Sequence, residues 1–266
     1  KTMKKHTLIS LPLLIASCFS GAALAHVAYL KPLQFEPVRG GKVTLDASFA
    51  EQFFVPEAAI TNASFEVITP DGKLVSVEKV VDLSTRNVLE HTLEEEGTYQ
   101  FSTGKRMGAI FRVYEKDGER GSMRGNDKPL PEGAVLKEHF QSVTFATTYV
   151  TKKGPTEQAL APRNEGLEIV AINHPNSLFA NESFNFKVLF NGKPVTDHEV
   201  SVYQGKDQFA EESDVEKLTT NAKGQASFTP SAQDVYLMQV RLRTDAPEGA
   251  EVPTYSYTTT LSFEAY

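Results

Sequence analysis

Apolar and polar residues alternate along this chain over five to nine positions at a time, and Gly, Pro, Asn and Asp break the alternation every ten or so residues. Successive side chains on a strand point to opposite faces, so this period of two specifies half-buried β-strands. No long helical period competes with it. Lys42-Val43-Thr44-Leu45-Asp46-Ala47-Ser48-Phe49 is one such run, and Ser64-Phe65-Glu66-Val67-Ile68 leads into the turn Pro70-Asp71-Gly72. Gly97-Thr98-Tyr99-Gln100-Phe101 is another; later, Phe184, Phe186, Val188 and Phe190 share one face, and Tyr255, Tyr257, Thr259, Leu261 and Phe263 share another. Strands that bury one face each stack as paired antiparallel sheets, which predicts an all-β protein of sandwiches. Seventeen Phe and nine Tyr, with no Trp, agree with that reading because aromatic side chains suit a pleated surface.

The 266 residues allow two domains of ordinary size. Residues 151–166 carry two Pro, two Gly and few apolar side chains, and read as a linker between an N-terminal sandwich, 26–150, and a C-terminal one, 167–266. The C-terminal part offers seven strand candidates, near 167–172, 183–190, 198–204, 214–219, 225–229, 235–243 and 255–264. Asn191-Gly192-Lys193-Pro194 and Asn221-Ala222-Lys223-Gly224 supply turn chemistry between them. This count and spacing suit an immunoglobulin-like or transthyretin-like sandwich. The stretch Lys116 to Gly133, rich in Gly, Pro and charge, reads as a surface excursion.

The first 25 residues have the form of a secretory signal peptide: basic Lys4-Lys5, an apolar run from Leu8 to Ala16, and a small-x-small end at Ala23-Leu24-Ala25. The apolar run is too short to span a bilayer, and no later stretch approaches that length. Cleavage after Ala25 makes His26 the first residue and predicts a periplasmic product. Cleavage before Cys18, giving a lipoprotein, is the lesser alternative. Cys18 is the only cysteine, so the processed chain has no disulfide to form. Loss of Lys1, Lys4 and Lys5 takes the formal charge from −7 to −10. An acidic chain without a Lys or Arg block excludes a nucleic-acid partner as an expectation.

Signatures of phosphate loops, serine nucleophile elbows, His-Glu-x-x-His zinc sites and thiolate zinc sites are all missing, so no enzyme is expected. The informative residues are the histidines. His26, as a first residue, would offer an amino and an imidazole nitrogen together. His174 lies in the turn Ile172-Asn173-His174-Pro175-Asn176-Ser177 at the opening of the second sandwich. His91 and His198 lie in alternating strand patterns and His139 in Lys137-Glu138-His139-Phe140, where edge or surface roles are expected.

The start His26-Val27-Ala28-Tyr29-Leu30-Lys31-Pro32, the segments Gly166-Leu167-Glu168-Ile169-Val170, His174-Pro175-Asn176, Phe190 to Val195 and Thr220 to Ala226, and the closing Tyr255 to Phe263 together resemble a bacterial periplasmic family of unknown function labelled NikM-like. That label comes from an assignment to nickel or cobalt uptake. The resemblance spans nearly the whole processed chain and is looser over residues 50–135. It implies a non-catalytic protein of two β-sandwiches connected with transition-metal acquisition. Lys31 stands where the family start has a carboxylate, which removes one oxygen ligand.

The leading expectation is therefore a periplasmic protein that carries or buffers a divalent transition metal, accessory to uptake. Nitrogen donors without thiolate suit Ni, Co, Cu or Zn, with copper favoured by intrinsic affinity and nickel or cobalt by the family label. His26 is the expected metal ligand and His174 the preferred second one, both facing the domain junction. Partners would be the metal ion and an outer-membrane receptor or inner-membrane transporter. An alternative is a metal-free adhesion or interaction module, and a lesser one a copper-dependent polysaccharide monooxygenase.

Overall fold

A computed structural model describes residues 26–39, 41–205 and 215–266, so the expected signal peptide and Cys18 lie outside the described residues. The chain is built of strands: β1 (Val27–Pro32), β2 (Lys42–Ala50), β3 (Glu66–Ile68), β4 (Leu74–Ser76), β5 (Lys79–Asp82), β6 (Asn87–Thr92), β7 (Gly97–Ser102), β8 (Arg106–Lys116) and β9 (Glu119–Arg124). These are followed by β10 (Val135–Lys152), β11 (Leu167–Ala171), β12 (Phe184–Phe190), β13 (Lys193–Pro194), β14 (Glu199–Gln204), β15 (Val215–Thr219), β16 (Gln225–Phe228), β17 (Asp234–Asp245) and β18 (Thr254–Ala265). One 3₁₀ turn, Gln158–Leu160, is the sole helical element among the described residues. The all-β, sandwich-forming expectation holds.

Three layers result. A four-stranded sheet runs β1-β2-β6-β5, a second joins β11, β12, β13 and β16, and between them lies a ten-stranded sheet, β15-β14-β17-β18-β10-β7-β3-β4, with β8 and β9 attached to the first half of β10. The four-stranded sheet of the first unit packs on one face of the central sheet, where Leu30, Leu45 and Leu89 meet Val67, Phe101, Ala146 and Val150. The second unit uses the opposite face. There Leu167, Phe184, Phe186, Val188 and Phe228 close on Phe145, Tyr236, Met238, Leu261 and Phe263. Alternation along β10 explains this division: Ala146 and Val150 point one way, Phe145 and Tyr149 the other.

β10 carries both units. Its end, Thr147–Lys152, pairs antiparallel with β7, while Phe140–Thr148 pairs in parallel with Thr254–Ser262 of β18. The units are thus hydrogen-bonded into one sheet. The segment read as a linker begins within β10 and then folds onto the central sheet: Ala159 and Leu160 are buried, and Arg163 pairs with Glu66 at 2.7 Å. The excursion expected at 116–133 contains β9, which forms a hairpin with β8. The rest folds back, held by Arg112, whose Nε donates to the Gly125 carbonyl, and by a 2.9 Å contact between His139 Nε2 and Asn126 Oδ1.

Candidate functional site

His26 stands just before β1, and the register that sets Val27 against Ala50 brings it beside Glu51. Beyond Glu51 the chain loops back, and an isolated bridge between Phe49 and Ala58 returns Glu57 to the same corner. His26 Nε2 lies 2.7 Å from Glu57 Oε2 and 3.7 Å from Glu51 Oε1. The other Glu57 oxygen accepts the Glu51 backbone N–H at 2.9 Å, which fixes the carboxylate. An ionised carboxylate only accepts, so the hydrogen belongs to Nε2, and in the neutral ring the Nδ1 lone pair is left available. The side chain of His26 is 52% exposed, so this corner is open to solvent.

His174 has a different setting. Its Nδ1 accepts the Asn176 backbone N–H at 3.1 Å, which assigns the ring hydrogen to Nε2, 2.8 Å from Thr98 Oγ1. Thr98 Oγ1 lies 3.0 Å from Thr151 Oγ1, and Thr151 donates to Asn176 Oδ1 at 3.1 Å. The four residues close a ring of hydrogen bonds that ties the first turn of the second unit to β7 and β10. Burial holds the His174 imidazole below its ordinary pKa, favouring the neutral form that this ring requires.

The structure does not bring the two expected ligands together. Thr260 Oγ1 donates to the Ala28 carbonyl beside Ala146, whereas Thr151, in the His174 ring, lies five residues further along β10 and donates its N–H to Phe35. His26 lies beyond Ala28 in the opposite direction, so at 3.3 Å per residue the histidines are roughly 20 Å apart. A shared junction site is thereby corrected to two separate settings: His26 with Glu51 and Glu57, and His174 within a structural ring. Among the described residues, no group of three or more His, Cys, Asp or Glu side chains is arranged to hold a metal ion.

The remaining histidines among the described residues are spoken for. His91 is buried, accepts the Glu78 N–H at 3.3 Å and meets Tyr99 and Phe101 edge to face; burial lowers its pKa. His198 Nε2 donates to the Arg241 carbonyl at 2.5 Å. A narrow cleft on the second unit's side of the central sheet is lined by Gln100, Tyr149, Arg163 and Glu168, with Gln100 Oε1 buried and unpartnered. Sequence reasoning missed Glu51 and Glu57, because Glu57 lies in an irregular loop. Glu51 was detectable in principle, since pairing β1 with β2 sets it opposite His26.

Comparison with known proteins gives a family and little more. The model of a domain of unknown function, DUF4198, matches residues 23–244, and it carries no nickel or cobalt assignment. No curated protein matches the sequence. Among solved structures, the D0-D1 domain of intimin is similar at 14% identity and a TM-score of 0.20, covering 88% of this chain and 96% of that one. The Yersinia pseudotuberculosis adhesin InvE is similar at 12% identity and a TM-score of 0.22, covering 89% of this chain and 58% of that one. The three N-terminal domains of the bacteriophage RB49 outer capsid protein Hoc follow at 11% and 0.22, covering 91% and 100%.

Proposed function

The chain belongs to the DUF4198 family, and we propose that it is a non-catalytic, exported protein that binds a divalent transition metal at His26. In this reading the signal segment is removed after Ala25, and the freed α-amino nitrogen and His26 Nδ1 are the donors. The observation that supports it is the 2.7 Å contact between His26 Nε2 and Glu57. Metal-bound imidazoles commonly donate the other ring N–H to a carboxylate, which fixes the tautomer and raises ligand basicity. Glu57 occupies that orienting role, and Glu51 adds negative charge at 3.7 Å. Two nitrogens with oxygen nearby favour Cu(II) and Ni(II) over harder ions. His174 is left out, because both its ring nitrogens are engaged.

Titration of Cu(II) and Ni(II) into protein beginning at His26 tests the reading, alongside His26→Ala, Glu57→Gln and a form extended by one N-terminal Gly. The extended and His26→Ala forms are expected to lose tight binding, and Glu57→Gln to weaken it by about 10-fold or more. Equal affinity of the extended form and the parent overturns the amino-terminal site.

A further inference from the structure

The central sheet is covered unevenly. The loop after β9 folds over one face of the β8-β9-β10 region, while the other face, beyond the reach of the four-stranded sheet, has no layer on it. On this open face Phe111 and Phe140, opposite each other on β8 and β10, stack at 5.5 Å between ring centres. Arg124, on β9, is directly opposite Phe111, and the Arg243 guanidinium lies 4.4 Å over Phe140. Glu138, a carboxylate among them, is already bound to both Arg120 and Arg243. Arg124 has no ion pair among the described residues.

At the upper border of this face Arg106 is buried over the Phe49 ring at 4.8 Å, its Nε donating to the Thr61 carbonyl. Burial lowers its pKa, and the nearby charge of Arg124 lowers it further. An acidic chain thus gathers Arg106, Arg120, Arg124, Arg241 and Arg243 on one sheet face, where Glu138, Asp245 and Glu115 are the carboxylates and Glu115 is paired with Lys137.

We infer that this face binds an anionic polysaccharide. Guanidinium groups recognise carboxylate or sulfate substituents through paired N–H donors. Half-buried aromatic rings provide a flat apolar surface for the C–H faces of sugar rings, and Ser122, Ser142 and Ser256, on the same face between the arginines, suit ring hydroxyls. An acidic polypeptide would satisfy the charges but has no use for the stacked phenyl pair. The inference is independent of metal binding at His26, which lies beside β2 on the first unit.

The test is titration of the protein with polygalacturonate, poly-glutamate of matched charge density and neutral dextran, all with EDTA present. Polygalacturonate is expected to bind preferentially, with affinity falling as salt rises. Arg124→Glu and Phe111→Leu should each weaken it, the first by about 10-fold or more, while dextran does not bind. Arg124→Gln serves if the charge reversal unfolds, and melting temperatures report the fold of each variant. Equal binding of poly-glutamate, undiminished binding by the folded Arg124 and Phe111 variants, or no binding of polygalacturonate overturns the inference.

Discussion

Thr98 Oγ1 and His174 Nε2 lie 2.8 Å apart, and through that contact the opening turn of the second unit is fastened to β7, the strand that pairs with the end of β10 in the first unit's half of the central sheet. Its partners are buried or half-buried, so a lost donor or acceptor is not replaced by water without cost.

Thr98→Val and His174→Ala are each expected to lower the free energy of unfolding by about 1–3 kcal/mol. Because both belong to one hydrogen-bonded ring, their effects should not add. Urea denaturation of the singles and the double mutant measures the coupling, and strict additivity would sink the closed-ring description. His174→Ala is also expected to leave Cu(II) affinity at His26 unchanged.

Acid should weaken the fold. Burial depresses the pKa of His91 and of His174 in the folded state, so the unfolded chain takes up protons first. Stability from the two neutral rings is complete above their ordinary pKa, about 6.5, and falls as pH drops below it through the depressed values. Denaturation midpoints at pH 7.5 and 5.5 check this, and His91→Phe should flatten part of the slope.

Tyr149 sets an opposite limit. Burial pushes its phenol up to about 12, while its hydroxyl accepts from Gln100 Nε2 at 2.8 Å. The group contributes stability below its unfolded value near 10, lost as pH rises towards the folded one. Ultraviolet titration should show Tyr149 ionising late, with Tyr149→Phe removing that step.

Gly166 has φ +64°, and a Cβ there would approach the Phe145 ring at 2.7 Å. Gly166→Ala combines backbone strain with overpacking at the entrance to β11, and a loss of roughly 1–3 kcal/mol is expected. A melting temperature equal to the parent's would contradict the close approach.

Unfolding should be a single transition. The β10–β18 ladder crosses the boundary at 151–166, so fragment 26–150 would expose a long unpaired strand edge. Both that fragment and 167–266 are expected to fail to fold alone, as read by the dispersion of amide NMR signals.

β12 and β14 of the second unit were legible because they keep a period of two: Phe184, Phe186 and Val188 are buried on one, Val200 and Val202 on the other, as their alternation requires. β9 escaped notice because Glu119-Arg120-Gly121-Ser122-Met123-Arg124 has Met123 as its one large apolar side chain, too few to mark an apolar face, as suits an edge with an open side. The parallel joining of β10 to β18 has no local signature, since pairing partners far apart in sequence leave no mark on period or turn chemistry. His26 was singled out by its place after the signal segment, but its carboxylate partner depended on how a loop returns.

The Thr148 hydroxyl donates to the Ser262 carbonyl, 114 positions further along the chain. A chain growing from its N-terminus therefore makes the middle strand of its own sheet long before it makes the neighbour that covers it. Until β18 emerges, β10 waits with one edge bare, and the molecule can neither finish its first unit nor begin to be stable. Contacts of such long range slow folding. Completion is deferred until β18 is made, so a nonsense codon or proteolytic clip near Thr254 removes that strand and with it the closure of both units.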